Sequence, residues 1–220
     1  MSGSGQFVRC CVLVVVATAW AGSIQAHEGH ERHSSGNADK AAETASVRLP
    51  DVVLLDQDEK KLRLRDEVVG DKIVVVDFVY TSCTTVCPVV SGIMGLLQER
   101  LGTRLGSEVS LVSITVDPVR DTPKRLKRYA ASHHARSGWT WLTGAQTDVT
   151  EALKGFGTYT SNFEEHPAVI MVGDGRTGRW MRFYGFVAPE QLLAQVDEFS
   201  SARGQKSSDA HGRGNADGKL

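Results

Sequence analysis

The sequence predicts an α/β domain: a central mixed sheet with helices on both faces. Three observations carry this. The run Ile73, Val74, Val75, Val76, Phe78 and Val79 is apolar and β-branched over the length of one buried strand, broken only by Asp77. A second such run, Val109 to Val116, follows an amphipathic helical stretch, and strand–helix–strand in this order implies a right-handed parallel crossover. Ala168 to Val172 and Trp180 to Phe186 flank the turn GDGRTG, so a hairpin makes the sheet mixed.

The remaining elements follow in chain order. Val52 to Leu55 and Leu62 to Leu64 read as a short hairpin around DQDEKK. Asp56, Asp58 and Glu59 there lack the glycine and closing glutamate of a calcium loop, so a solvated turn is expected. After the first central strand a helix runs to about Arg104. The turn DPVRDTP leads into a basic helix, Thr122 to Ser132, with Asp121 or Thr122 as N-cap and Pro123 in its first turn. Trp139 to Leu142 is a short strand and Asp148 to Lys154 a short helix capped by Thr147 or Asp148. A loop with Phe156, Tyr159 and Phe163 leads to His166, and Pro189 to Phe199 is the last helix. This order is that of a thioredoxin-like fold with an added N-terminal β-hairpin.

Length and charge suit one globular domain with tails. The chain has 220 residues, 25 basic and 26 acidic, and 41% hydrophobic content, with no basic surplus for nucleic acid. Residues 1–26 read as a signal peptide: a polar start ending in Arg9, an apolar run from Cys10 to Trp20, and a cut after Ala26. The run is shorter than the roughly 20 residues of a membrane span, which favours a cleaved signal over a retained anchor. Cys10 and Cys11 leave with it, without the leucine and small residues expected before a lipidated cysteine. Residues 27–46 form a flexible leader in which His27, His30 and His33 either chelate copper or zinc or belong to a solvated tail. Residues 47–200 are the folded domain and 201–220 a disordered tail.

Export leaves Cys83 and Cys87 as the mature protein's cysteines. In an oxidising compartment they are bridged, metal-bound or kept reduced by a partner. If the loop that carries them winds into the first turn of the following helix, the two, four apart, share one face within about 5–6 Å at Cβ, and the helix N-terminus favours the thiolate. Such a pair closes on one metal ion, exchanges disulfides, or forms an ordinary stabilising bridge. His133 and His134, among polar residues near a helix end, are expected to be solvated. Asp117, Arg120 and Asp121 lie at the carboxyl end of a central strand, where ligands gather; they serve either there or as a turn with a helix cap.

Three motifs in order, FVYTSCTTVCP, TVDPVRDTPKRLKRYA and HPAVIMVGDG, resemble the SCO/SenC family of copper-delivery proteins for respiratory oxidases. The resemblance spans Val52 to Phe199. It implies one copper ion, Cu(I) or Cu(II), held by Cys83, Cys87 and His166, a donor set of two soft sulfurs and an imidazole that suits copper. It also implies delivery to a cytochrome oxidase subunit or another copper acceptor, a thiol reductant as partner, and a place in the periplasm or an equivalent space outside the inner membrane. The family often has Cys-Pro-Asp-Val-Cys-Pro where this chain has Cys-Thr-Thr-Val-Cys-Pro, so an acidic residue beside the metal is replaced. Two features lean instead toward a thiol:disulfide oxidoreductase acting on a partner's cysteines. Asp77 stands where thioredoxins keep a buried acid, either as proton acceptor or as a structural carboxylate satisfied by a hydroxyl. Pro167 stands at the thioredoxin cis-proline position, or is a trans residue opening a strand. In that case Cys83 attacks and Cys87 resolves. A copper sensor or store, supported by the histidine leader, is a third reading.

Overall fold

The computed structural model describes residues 42–213, with side chains through residue 205. Eight strands and four helices are present in it: β1 (Ala42–Thr44), β2 (Val53–Leu55), β3 (Lys61–Arg63), β4 (Ile73–Val79), α1 (Val86–Leu101), β5 (Val109–Thr115), α2 (Pro123–Ser132), β6 (Trp139–Leu142), α3 (Gln146–Phe156), β7 (Val169–Asp174), β8 (Arg179–Tyr184) and α4 (Pro189–Arg213). The main sheet has the order β1-β8-β7-β4-β5-β6. Strands β4, β5 and β6 run parallel, whereas β7 is antiparallel to β4 and β8 to β7. This is the expected thioredoxin-like α/β fold, and β2 with β3 forms the added hairpin.

Every residue of β4, β5 and β7 is buried, because helices cover both faces and no side of these strands meets water. The alternation along β4 sorts the core. Ile73, Val75 and Val79 pack with Met94 and Leu97 of α1, Leu126 of α2 and Val196 and Phe199 of α4. Val74, Val76 and Phe78 face the other way, toward Val149, Leu153 and Phe156 of α3 and Leu54 and Leu64 of the hairpin region.

Three boundaries differ from those the composition suggests. Strand β1 lies inside the stretch read as leader: Ala42 pairs with Phe183 and Thr44 with Met181, and Tyr184 Oη donates to Glu43 at 2.8 Å. Ala and Glu have low strand propensity, so pairing with β8 rather than local preference makes this strand. Helix α4 continues to Arg213 through the stretch read as disordered from residue 201. Its anchor is Arg203, which donates to the buried Asp174 carboxylate from Nε (3.1 Å) and Nη2 (2.5 Å). Helix α3 starts at Gln146, so neither Thr147 nor Asp148 caps it; Asp148 lies in the first turn instead, where its charge suits the helix dipole.

The expected signal peptide, the anchor alternative, Cys10, Cys11, His27, His30 and His33 lie outside the described residues. Among the described residues no helix is long and apolar enough to cross a membrane.

Gly175, just after β7, approaches the segment before β4 so closely that a Cβ would overlap the Gly70 carbonyl oxygen, while its own N–H donates to Lys72 O at 2.9 Å. The nearest obstacle is backbone, which cannot swing aside as a flexible side chain could, and the Val69 side chain crowds the same space. Gly175→Ala is expected to cost about 3 kcal/mol, read from denaturant melts at constant slope.

Candidate metal and thiol centre

The centre begins where β4 ends. Cys83 N–H donates to Tyr80 O at 3.1 Å, closing a turn over Tyr80, Thr81, Ser82 and Cys83. Helix α1 then starts at Val86 with Thr85 as N-cap, and no side-chain oxygen caps it. A helix start leaves its first N–H groups without intrahelical partners. Here Cys87 N–H points at Cys83 Sγ at 3.3 Å, so a sulfur takes the capping role. Pro88, next in line, has no N–H to satisfy.

Both cysteines are free and buried, at 8% and 5% exposure. They nonetheless differ sharply as acids. Burial pushes the Cys83 thiol up, but the N–H groups of Cys87 and Thr85 and the side chains of Cys87 and Tyr80 outweigh it and bring its pKa down to about 6. Burial pushes Cys87 up to about 12, opposed by the Tyr80 backbone and reinforced by the neighbouring Cys83 charge. The Tyr80 hydroxyl is raised to about 12 by burial and by the Cys83 sulfur.

His166 reaches the centre from the other side of the sheet end. It follows a 3₁₀ turn, Phe163–Glu165, and its ring packs on Phe78 with centroids 5.6 Å apart. Burial holds its pKa below the ordinary value, against the pull of the Pro167 and Thr158 backbone, so the imidazole is neutral at pH 7. Its Nε2 is buried with no hydrogen-bond partner. An orphaned ring nitrogen is a costly feature, and it offers a lone pair to a ligand. Cys83, Cys87, His166, Pro167 and Tyr80 all line one small cavity of about 40 Å³. Among the described residues no three of His, Cys, Asp or Glu are drawn together closely enough to hold a metal ion. The sulfurs and the imidazole therefore share a cavity without forming a closed ligand set.

Asp77 lies behind the cysteines, fully buried in β4. Its Oδ1 accepts from Ser113 Oγ at 2.5 Å, and Ser113 in turn accepts from Trp139 Nε1 at 2.9 Å. The hydroxyl thus satisfies one oxygen; Oδ2 is without a partner. Burial, against the Ser113 hydrogen bond, raises the carboxyl to about 7.

The polar turn after β5 divides. Arg120 pairs with Asp117 at 3.0 Å and lies over the Phe163 ring at 5.2 Å, beside a groove of about 310 Å³. Asp121 is instead buried against the turn that carries Cys83. His133 is not simply solvated: its ring packs 4.7 Å from Tyr129 and stacks 6.4 Å from Trp141. Asp56 holds its own turn by accepting from Asp58 N and Lys60 N, at 2.8 and 2.9 Å, as expected of a solvated loop. Tyr80 and Thr85 are site residues the sequence reading passed over, although both stand in the quoted FVYTSCTTVCP; Thr85 Oγ1 lies 3.9 Å from Cys83 Sγ.

Together these features define a thioredoxin-like domain that presents a CxxxC dithiol at a helix start, with a neutral histidine across a small cavity. The SCO1/SenC family model matches residues 43–198, and the chain belongs to that family. The SCO1 protein homolog of Bacillus subtilis is 35% identical over 118 residues, covering 52% of this chain and 60% of that protein. The chain thus spans little more than half the length of the curated relatives it matches, 60% of this one and 52% of a putative copper-binding protein of Stutzerimonas stutzeri. Among solved structures, copper-bound ScoI of Bradyrhizobium japonicum superposes with a TM-score of 0.56 at 25% identity, over 67% of this chain and 96% of that one. BsSco, a member of the Sco family of cytochrome c oxidase assembly proteins in which a disulfide switch is identified, gives 0.61 at 25% identity, over 72% and 96%.

Proposed function

We propose that this chain is a copper-delivery protein that holds one copper ion through Cys83, Cys87 and His166 and passes it to a copper-accepting subunit during assembly of a respiratory oxidase. The observation that carries the reading is the shared cavity: two cysteines and a histidine with an unpartnered ring nitrogen line one space. The copper-bound ScoI structure supports it by likeness. Copper here is cargo. Cys83 offers a thiolate at neutral pH, and Cys87 releases its proton as the second sulfur binds. His166 closes on the pair as the third ligand. The exported setting rests on the expected signal.

A second reading has its own support. The low pKa of Cys83 beside a buried, high-pKa Cys87 suits thiol:disulfide exchange, and the disulfide switch of BsSco is a likeness in the same direction. Cys83 thiolate attacks a partner's disulfide and expels one partner thiolate. Cys87 then loses its proton to Asp77, displaces the second partner sulfur and leaves Cys83–Cys87 oxidised.

Anaerobic copper titration of the reduced chain separates the readings, with Cys83→Ser and His166→Ala alongside. One tightly held copper per chain, lost or strongly weakened in both variants, is expected. Absence of stoichiometric binding, with a mixed disulfide trapped by Cys87→Ser, would transfer the function to the oxidoreductase.

A further inference from the structure

The turn DPVRDTP is left without a role by either chemistry. As a sequence it is a helix cap or part of a functional edge. The structure gives the cap to Thr122, whose side chain accepts from Arg125 N–H at 3.4 Å. Asp121, its neighbour, is 1% exposed. A carboxylate buried to that degree is costly unless donors meet it, and a surface turn has no need of it.

Three donors do meet it. Thr81 N–H reaches Oδ2 at 3.0 Å, the Thr81 hydroxyl reaches Oδ1 at 2.5 Å, and the Thr115 hydroxyl at the end of β5 reaches Oδ2 at 2.7 Å. Two of the three come from Thr81, forty residues away in sequence. Thr81 is the second residue of the Tyr80–Cys83 turn, and the fourth is the cysteine whose sulfur caps α1. The carboxylate therefore holds one corner of a four-residue turn, and Cys83 is the opposite end. Hydrogen bonds to a charged acceptor are shorter and about twice as strong as neutral ones, so the corner is firmly held.

We propose that Asp121 is the positioning residue of the dithiol: by fixing Thr81 it keeps Cys83 Sγ under the first N–H groups of α1. The proposal rests on reading Cys83 as the reacting or ligating sulfur. Asp121 itself touches neither thiol nor metal. Its effect passes through the Thr81 turn, and its replacement changes where the sulfur sits rather than which groups are present. Asparagine is the sharpest substitution, because it keeps the shape but turns an NH₂ group toward the Thr81 N–H, which both oxygens share, and toward one of the two hydroxyls.

The test uses the full chain, reduced and metal-free, and reads the pH midpoint of iodoacetamide labelling at Cys83. Copper(I) affinity by chelator competition and the thermal melt are followed in parallel. For Asp121→Asn the labelling midpoint is expected to rise by about one unit, since hydrogen bonds to the thiolate are what hold it down. Copper affinity is expected to fall about 10- to 100-fold, the usual cost of losing a group that orients a ligand. Thr81→Val keeps the Asp121 carboxylate and the backbone contact, and should move the midpoint the same way by less. Added to Asp121→Asn it should change little more, as for residues acting as a unit. A lower melting temperature with an unmoved midpoint in both variants would overturn the proposal and leave Asp121 a structural carboxylate. Should Asp121→Asn fail to fold, Thr81→Val alone decides, and an unmoved midpoint there overturns it equally. A shifted midpoint in a chain whose wild type holds no copper supports the positioning role and removes the copper reading.

Discussion

At pH 7 a small alkylating reagent is expected to label Cys83 on the order of 10²-fold faster than Cys87, with a Cys83 pH midpoint near its pKa of about 6. The arithmetic sets two effects against each other. With pKa values of about 6 and about 12, the thiolate populations at pH 7 differ by about five orders of magnitude. A thiolate of lower pKa is intrinsically the weaker nucleophile, which returns nearly three of those orders. Exposure does not decide the matter, because the two residues are almost equally buried, at 8% and 5%. Timed iodoacetamide labelling of the reduced chain, read by mass spectrometry of the two peptides, checks it. Equal rates, or a midpoint in the ordinary thiol range of 8 to 9, would show that the N–H groups of Cys87 and Thr85 do not hold the Cys83 charge.

The second large effect concerns Asp77. Its pKa rises from 3.8 to about 7 in the folded chain through burial. A raised folded-state pKa means that the native state favours the protonated acid, so the contribution to stability is fully present below 3.8 and is lost as pH rises through 7. Across that window wild-type stability is expected to fall by up to about 4 kcal/mol, taking 1.36 kcal/mol per unit as a ceiling. Asp77→Asn cannot ionise and keeps an oxygen for the Ser113 hydroxyl. The variant should match wild type near pH 4 and exceed it by about 2–4 kcal/mol at pH 8, in chemical denaturation at both pH values. A marginally stable domain registers such a difference plainly. If the gap does not grow between pH 4 and pH 8, Asp77 is not the strained carboxyl the burial implies. The added stability should accompany slower disulfide exchange if Asp77 accepts the Cys87 proton.

Much of this was legible because it depends on short-range pattern. The apolar run at Ile73–Val79, the Cys83–Cys87 spacing and the β-branched run before Asp117 each reflect local chemistry, and the family motifs tie them to one fold. The ends of the domain were not legible. Strand β1 is AET, in which Ala and Glu disfavour a strand, and pairing with β8, about 140 residues later, makes it one. The last helix runs through Ser-, Gly- and Asp-rich sequence and is tied at Arg203 to Asp174, again a contact no local window contains. The same holds for Asp121: adjacent to a genuine N-cap, it looks like one, and two of its three donors lie forty residues upstream on Thr81. Tyr80 was passed over for the opposite reason. It adjoins the motif, but whether a strand-end tyrosine turns inward to a thiol depends on the turn that follows it.

Strand β1 has a practical consequence for anyone shortening this chain. A fragment begun at residue 47, the boundary that composition recommends, removes β1 and with it Ala45, whose N–H donates to Trp180 O at 2.9 Å. The outer edge of β8 would then present an unsatisfied row of backbone donors and acceptors, the template on which sheets of separate molecules join. Such a fragment would keep every cysteine and histidine of the centre and still be prone to self-association.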